Sequence, residues 1–233
     1  MKPVEITWIT DRAPDAVHAL ALEWMQDDER RRHDRFAFEH TRAEYRLARW
    51  LVRTALSRHA PVDPAAWRFV ANAHGRPAIA APACDLRFNL THTPGLLAIA
   101  IAEGREVGLD AEDATRPGAL ESIAHRYFAP RELADLLALP DAHARRERFF
   151  ALWTLKESYI KARGLGLALP LDSFAFSWQG QRLDFACDAR AADEPARWHF
   201  RQYRPTARHR LALATERGNG DAPEPRLRFV PFT

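Results

Sequence analysis

Cysteine is scarce in this sequence, and the scarcity excludes several classes of protein. Only two cysteines, Cys84 and Cys187, occur among 233 residues, and neither belongs to a Cys-x-x-Cys or Cys/His pattern. A structural zinc site requires such spacing, and a disulfide-stabilised secreted domain requires several cysteine pairs. The sequence therefore predicts neither kind of protein, and it favours a protein of the reducing cytoplasm.

Long apolar runs and a large net charge are missing as well. The longest apolar stretch, residues 96–102, is far shorter than the roughly 20 residues that span a bilayer. Residues 1–8 lack the basic and then apolar pattern of a secretory leader. The formal net charge of +3 suits a phosphate-bearing or acidic partner but does not predict nucleic-acid binding. We therefore expect a cytoplasmic protein that binds neither membranes nor nucleic acid.

Hydrophobic residues make up 47% of the chain, which suffices for a buried core, and their spacing changes along it. Spacings of three and four residues predict helices, and alternation predicts strands. Helices are predicted at residues 27–59, 120–127, 131–139 and 144–163, the last ending at Gly164. Strands are predicted at residues 4–9, 86–91, 96–102, 106–110, 174–178, 183–185, 198–203, 211–215 and 227–230, with a turn at 72–77 and a flexible loop at 219–225.

Helices and antiparallel strands occur in both parts of the chain, which predicts an α+β fold class. The pattern changes near residues 103–108. We therefore predict an N-terminal half, residues 1–106, and a C-terminal half, residues 107–233. The strands predicted after residue 170 would form an antiparallel sheet in the second half.

Three carboxylates give the strongest chemical signal in the sequence. Asp110 and Glu112 lie two residues apart at the end of a predicted strand, so their side chains point the same way. Two hard oxygen donors on one side of a strand can hold a magnesium ion. Taken alone, the pair is equally typical of solvated acids at the end of a strand.

Glu157 lies in the middle of a predicted helix, four residues before Lys161 and beside the apolar positions of Phe150 and Trp153. An ordinary surface ion pair with Lys161 is the simpler alternative and is worth only about 0.3–0.5 kcal/mol. A carboxylate beside an apolar stripe is costly unless it is paired. A metal ion and a lysine would both pair with it.

Basic and hydroxyl side chains near two predicted turns form a second group of candidates. Thr91 and His92 end a predicted strand, and Arg76 lies in a Gly-Arg-Pro turn. Each can bind a phosphate, although a solvated or structural role is the usual one for a single such residue. The run from Arg30 to Arg32 equally fits a solvated helix face.

Together these segments resemble the large, surfactin-type group of 4′-phosphopantetheinyl transferases. Three blocks in the right order carry the resemblance. They are Gly75-Arg76-Pro77 followed by Phe88-Asn89-Leu90-Thr91-His92, then Val107-Gly108-Leu109-Asp110-Ala111-Glu112, and finally Trp153-Thr154-Leu155-Lys156-Glu157-Ser158-Tyr159-Ile160-Lys161 continuing through Gly164-Leu165-Gly166-Leu167. The family often has serine at Thr91, isoleucine or valine at Ala111 and lysine at Arg76.

The resemblance implies two similar α+β halves in a pseudo-twofold arrangement, with the active site in the cleft between them. It implies holo-[acyl-carrier-protein] synthase activity, in which 4′-phosphopantetheine moves from coenzyme A to a serine of an acyl or peptidyl carrier protein and adenosine 3′,5′-bisphosphate leaves. Carriers of fatty acid, polyketide and nonribosomal peptide biosynthesis all stay open. A monomer is the simplest expectation.

The resemblance also assigns roles to the candidate residues. Asp110, Glu112 and Glu157 would hold Mg²⁺, with Mn²⁺ as an alternative, and either Glu157 or a metal-bound water would remove the serine proton. Lys161, assisted by Lys156, would stabilise the departing nucleotide. The residues that would anchor coenzyme A are Arg32, Arg76, Thr91, His92 and Lys161.

Two other functions use the same residues. One is a magnesium-dependent hydrolase of coenzyme A or of a nucleoside diphosphate, with water as the attacking group. The other is an inactive module that binds coenzyme A or a carrier protein. A basic group at Arg145, Arg146 and Arg148 could steer an acidic carrier, but it equally fits an ordinary charged start of a helix.

Overall fold

The computed structural model describes residues 2–218 and 223–232, and its mixture of helices and largely antiparallel strands confirms the α+β fold class. The chain divides into two compact units, one of residues 2–104 with 223–232 and one of residues 105–218. The predicted halves assigned residues 223–232 to the second part, whereas strand pairing keeps them in the first unit. The predicted pseudo-twofold arrangement and its cleft stay predictions, and residues 219–222 of the predicted loop lie outside the described residues.

The N-terminal unit, residues 2–104 with 223–232, has a four-stranded sheet, a two-stranded hairpin and three helices. The sheet order is β11-β1-β5-β4, in which β11 runs parallel to β1 and the other pairs are antiparallel. The hairpin consists of β2 and β3. The elements are β1 (Glu5–Ile9), α1 (Asp15–Trp24), α2 (Asp27–Asp34), α3 (Glu39–Ser57), β2 (Arg68–Ala71), β3 (Pro77–Ala81), β4 (Leu86–Thr93), β5 (Leu96–Glu103) and β11 (Arg226–Phe229).

The core of this unit lies between α3 and the sheet. Leu47, Leu51 and Ala55 recur on one face of α3 and are almost fully buried. They pack with the sheet residues Ile9 and Ile99 in one cluster. Burial of such a face, rather than helix propensity, supplies most of the stability of a helix in a protein.

Three elements of this unit differ from the sequence prediction. The helix predicted over residues 27–59 is two helices, because α2 ends at Asp34 and α3 begins at Glu39. Helix α1 and the β2–β3 hairpin were missed. The predicted turn at residues 72–77 connects the two hairpin strands, and the Asn72 side chain accepts hydrogen bonds from the backbone N–H groups of His74 and Arg76 there.

The C-terminal unit, residues 105–218, packs a long helix on a three-stranded sheet. The sheet order is β6-β10-β9, with both pairs antiparallel, and β7 and β8 form a separate hairpin. The sequence prediction placed all of the later strands in one sheet. The elements are β6 (Val107–Asp113), α4 (Leu120–Tyr127), α5 (Pro130–Leu137), α6 (Ala142–Arg163), β7 (Phe174–Gln179), β8 (Arg182–Cys187), β9 (Trp198–Tyr203) and β10 (His209–Glu216).

Helix α6 approaches strand β6 unusually closely at Gly108. A methyl group on Gly108 would lie 2.0 Å from the Ser158 carbonyl oxygen and 2.4 Å from the Ala162 backbone nitrogen. Only glycine fits there, because both neighbours are backbone atoms that cannot rotate away. Helix α6 ends at Gly164, whose φ of 64° is a left-handed conformation that glycine adopts readily.

Across residues 2–218 and 223–232, the helices are too short or too polar to cross a lipid bilayer.

We expect Gly108→Ala to destabilise the protein by about 1–3 kcal/mol, because the added carbon forces α6 away from β6. Thermal unfolding followed by circular dichroism measures the change. Gly118→Ala is the matched control, since its methyl group would meet its nearest neighbour at an ordinary 3.8 Å. Equal unfolding midpoints for the two variants would contradict the close contact.

Candidate active site

The face of β6 that packs on α6 carries two of the predicted acids. Gly108, Asp110 and Glu112 share this face because side chains two apart on a strand point the same way. Asp110 Oδ1 accepts a hydrogen bond from Lys161 Nζ at 2.7 Å, and Lys161 also donates to the Leu109 carbonyl at 3.2 Å. The structure therefore brings Asp110 and Lys161 together from elements 51 residues apart.

Glu112 lies two residues further along the same face of β6. Its Oε1 accepts hydrogen bonds from Trp153 Nε1 at 3.1 Å and from Arg116 Nη2 at 3.3 Å. Burial raises the pKa of the Glu112 carboxyl, and the charge of Asp110 raises it further, while Arg116 acts in the opposite direction. Glu112 is thus a partly buried carboxyl that feels its neighbour's charge.

Glu157 completes the group from the same helix as Lys161. Burial raises the pKa of its carboxyl to about 7, with the charge of Asp110 as the second cause and that of Glu112 as a weaker one, against Lys161. The charges of Asp110 and Glu112 therefore contribute to the shift, although burial is its largest cause. Glu157 is therefore a group that exchanges its proton near neutral pH, unlike an ordinary surface glutamate.

The donor chemistry of this group suits a hard divalent cation, because carboxylate oxygens that repel one another are stabilised by a shared positive charge. Within residues 2–218 and 223–232, however, no three His, Cys, Asp or Glu side chains are arranged to hold a metal ion. Lys161 instead contacts Asp110, and Trp153 and Arg116 contact Glu112. The donors fit the ion in charge and type, and their convergence on one ion stays a prediction.

Lys156 does not share this site, and its predicted catalytic assistance finds no support in the geometry. Its side chain is fully buried, and its ammonium donates to the carbonyls of Leu171 and Phe174 at 2.8 Å. It also pairs with Glu132 at 2.7 Å, and both side chains are 0% exposed. Residues five apart on α6 point to different sides, so Lys156 serves the core while Lys161 faces Asp110.

Glu132 is a residue that the sequence analysis missed. Its Oε2 accepts from the backbone of Ala129 and its Oε1 from the backbone of Phe176, so the buried carboxylate connects α5 to β7. The signal was present in the sequence, because Pro130 at the first helical position and an acid two residues later are typical of a helix start.

Two of the predicted phosphate-binding residues line one cavity in the N-terminal unit. The cavity has a volume of about 870 Å³, and Arg32 and His92 are in its wall. Thr91 is almost fully buried, on the opposite face of β4 from His92. Gly75 and Pro77 line the cavity, but Arg76 between them does not. The structure thus joins Arg32 with His92 and places Arg76 and Thr91 outside the wall.

The predicted carrier-steering arginines are also engaged within the C-terminal unit. The Arg146 guanidinium donates to the backbone carbonyls of Ala114 and Arg116. The Arg148 guanidinium lies 4.3 Å from the centre of the Trp178 ring. The contacts of Arg146 with the two backbone carbonyls indicate a structural role for this side chain.

Comparisons with known proteins agree on one family. The family model described as "4'-phosphopantetheinyl transferase superfamily" matches residues 106–214. The chain is 35% identical to 4'-phosphopantetheinyl transferase HetI of Nostoc sp. over 178 residues. The aligned region covers 72% of this chain and 75% of that protein. It is 36% identical over 154 residues to 4'-phosphopantetheinyl transferase Sfp of Bacillus subtilis, and this aligned region covers 66% of each protein. A human relative, L-aminoadipate-semialdehyde dehydrogenase-phosphopantetheinyl transferase, is 24% identical over 229 residues, 92% of this chain and 73% of that protein.

We expect Lys156→Met to lower the free energy of unfolding by about 3–5 kcal/mol, because it leaves the Glu132 carboxylate buried without its partner. Chemical denaturation measures the loss. The double variant Lys156→Met/Glu132→Gln should recover part of it, since it removes the stranded charge. A Lys156→Met protein that is as stable as the wild type but inactive would instead support the catalytic role predicted for Lys156.

We expect Glu157 to lower the stability of the metal-free protein as the pH rises from about 4.5 to about 7. The folded state raises the pKa of Glu157 from 4.5 to about 7, so in this window it binds the proton more tightly than the unfolded state does. Glu157→Gln should remove this contribution and keep those of Glu112 and Glu132, whose pKa values are also raised, and of His18 and His59, whose pKa values are lowered. Unfolding midpoints from pH 5 to pH 8 with a chelator test this.

In the same experiment at pH 8, added magnesium should raise the midpoint of the wild type more than that of Glu157→Gln, because a bound cation stabilises the folded state by mass action. Parallel pH profiles together with equal magnesium responses would contradict the assignment of Glu157.

Proposed function

Because this chain belongs to the 4′-phosphopantetheinyl transferase superfamily, we propose that it transfers 4′-phosphopantetheine from coenzyme A to a serine of an acyl or peptidyl carrier protein. The single observation that supports this most is the group on β6 and α6. There, Lys161 contacts Asp110 at 2.7 Å, and Glu157 has a pKa of about 7. A cation, a base and further carboxylates in one place suit the breaking of a diphosphate bond.

The reaction exchanges one phosphorus–oxygen bond for another. The serine oxygen bonds to the phosphorus that carries the pantetheine arm, and the bond from that phosphorus to the bridging oxygen breaks. The bridging oxygen leaves with the electron pair on adenosine 3′,5′-bisphosphate. The serine proton must go to a base, because an alcohol is a poor nucleophile until it is deprotonated.

Glu157 is the base that we propose. With a pKa of about 7, a large fraction of its side chain is ionised near neutrality, and it still binds a proton well enough to take one. An ordinary glutamate, with a pKa near 4.5, would be a much weaker base. The raised pKa follows mainly from burial, so the fold of the C-terminal unit produces it.

Lys161 acts on the leaving side. Its side chain is 29% exposed, so its ammonium can reach a ligand while it stays paired with Asp110. A positive charge there stabilises the negative charge that builds on the departing nucleotide. Lys156 has no part in this step, because its ammonium is enclosed in the core.

We further propose that Asp110 and Glu112 hold Mg²⁺, the cation that the family implies, and that Glu157 is the third ligand until it takes up the serine proton. When bound, the ion would neutralise charge on the diphosphate. Burial raises the pKa of both glutamates, and the charge of Asp110 raises it further, so a cation at this place would lower the cost of ionising them.

The nucleotide part of coenzyme A is proposed to bind in the cavity of the N-terminal unit. Arg32 and His92 in its wall supply a guanidinium and an imidazole, each of which has N–H groups that can donate to a phosphate. Arg76 and Thr91 stay as weaker candidates, since they are outside the wall. A cavity of about 870 Å³ is large enough for a nucleotide.

We expect the wild type, incubated with coenzyme A, magnesium and an apo carrier protein, to raise the mass of the carrier by one phosphopantetheine group. Glu157→Gln should lower the rate by about 100-fold or more, because it removes the base. Mass spectrometry of the intact carrier measures both. Glu194→Gln is the matched control, since it makes the same change at an exposed loop position of the same unit.

One outcome would overturn the proposed reaction, and two others would each overturn one role within it. Cleavage of coenzyme A at the same rate with and without a carrier would favour the hydrolase. An unchanged transfer rate in Glu157→Gln would contradict the role of Glu157 as the base. Transfer in the presence of excess chelator would contradict the role of the magnesium ion.

A further inference from the structure

Two arginines share one carboxylate, that of Glu29, in the wall of the cavity of the N-terminal unit. Glu29 lies near the start of α2 and is almost fully buried. Arg53 on α3 binds it with both terminal nitrogens, at 3.2 Å and 2.5 Å, and its side chain is 0% exposed. Arg49, one helical turn earlier, reaches the same carboxylate with a single bond of 3.3 Å.

The charges of this group do not balance. One carboxylate faces two guanidinium ions, which leaves a surplus of one positive charge in a largely buried place. Arg53 has the better geometry for Glu29, because two parallel bonds between a guanidinium and a carboxylate are the strongest form of this pair. Arg49 is therefore the arginine whose charge is poorly compensated.

Burial makes the imbalance matter. Arg204 and Arg210 also share one carboxylate, Glu147, but Arg204 is 67% exposed, so water solvates the surplus charge. The Arg49 side chain is only 15% exposed. Its Nε atom, like that of Arg53, is buried and has no hydrogen-bond partner among the residues that the structure describes. The surplus charge at Arg49 is therefore costly unless an anion that enters the cavity compensates it.

The exposed part of Arg49 opens into the cavity, where the Tyr45 ring orders it. The guanidinium carbon of Arg49 lies 5.0 Å from the centre of this ring, and that of Arg32 lies 5.8 Å from it. All three residues line the cavity. The ring thus gathers two cations and keeps the planar Arg49 group in one orientation. Two like charges held close together favour an anion that contacts both.

The acids in the cavity wall do not cancel this charge. Asp27 and Asp28 line the cavity but are exposed, so water screens them. Glu44 also lines it and is partly exposed. None of the three forms an ion pair with Arg49 among the described residues, for which Glu29 is the acidic partner.

We propose that Arg49 is a phosphate-binding residue of this cavity, which the Glu29–Arg53 pair holds in place, and that it binds a phosphate group of the coenzyme A nucleotide. The inference rests on the proposed function, because it takes the nucleotide as the ligand. It adds a residue outside the three sequence blocks, and it gives Glu29 and Arg53 positioning roles.

The test is isothermal titration of the purified protein with adenosine 3′,5′-bisphosphate. Arg49→Gln should weaken binding by about ten- to one-hundredfold, the range expected for losing a hydrogen bond to a charged group. Arg49→Lys should lie between, because lysine keeps the charge but lacks the planar fork. Raising the salt concentration should weaken binding to the wild type more steeply than binding to Arg49→Gln.

Arg46→Gln is the matched control on the same helix. Its side chain is 12% exposed, similar to that of Arg49, but it has its own carboxylate partner in Glu39 at 2.5 Å and does not line the cavity. The control loses the same charge and should bind the bisphosphate within about twofold of the wild type.

Unfolding without nucleotide separates binding from a purely structural role. Arg49→Gln should unfold at the same temperature as the wild type or higher, because the change removes the surplus charge beside Arg53. A lower midpoint, with affinity for the bisphosphate unchanged, would make Arg49 structural and would overturn the inference. Equal losses of affinity in Arg46→Gln and Arg49→Gln would overturn it as well.

The inference and the proposed function fail differently. If the wild type modifies a carrier and binds the bisphosphate, but Arg49→Gln binds it equally well, only the role of Arg49 is lost. If the wild type neither binds the bisphosphate nor modifies a carrier, the proposed function is lost and the inference with it.

Discussion

The contact between Gly108 and the backbone of α6 is the constraint on which the C-terminal site depends. A methyl group there would lie 2.0 Å from the Ser158 carbonyl oxygen, so no other residue allows the helix to lie this close to β6. The close approach lets Lys161 reach Asp110 and lets Trp153 reach Glu112. It also buries the Glu157 carboxyl enough to raise its pKa to about 7. The absence of a side chain at Gly108 thus lets the acids and Lys161 of this group lie close together and partly buried.

Buried charged side chains in this protein have either a structural or a functional role, and the two kinds differ in how well their charge is compensated. Lys156 is fully enclosed, but two carbonyls and Glu132 compensate its ammonium, so it links elements of the core. Arg49 and Glu157 are less enclosed and less well compensated. Uncompensated charge at the wall of a cavity or beside other acids is costly without a ligand, and the binding of a ligand can relieve that cost. The degree of compensation, more than burial itself, therefore separates the two kinds of residue.

Parts of the fold followed directly from the sequence pattern, and other parts did not. The alternation in β4, the short apolar run of β5 and the glycine stop after α6 were sufficient to predict these elements. Helix α1 and the β2–β3 hairpin were missed, and α2 and α3 were merged into one helix. Local pattern carries little information about where a chain changes direction between two helical segments, because contacts from elsewhere decide it. Likewise, Lys156 and Lys161 belong to one motif, yet Lys156 is enclosed in the core and Lys161 contacts Asp110.

The sequence by itself determined which chemical groups are present and in what order, and so it indicated the family and the acids, lysine and histidine of the candidate site. Side-chain type, spacing and strand alternation are local properties, and they suffice for this. Only the tertiary structure decided which of these groups meet. It paired Lys156 with Glu132 and placed Arg49 between a shared carboxylate and a cavity. The reason is that burial and charge compensation depend on residues distant in the chain, which no local pattern records.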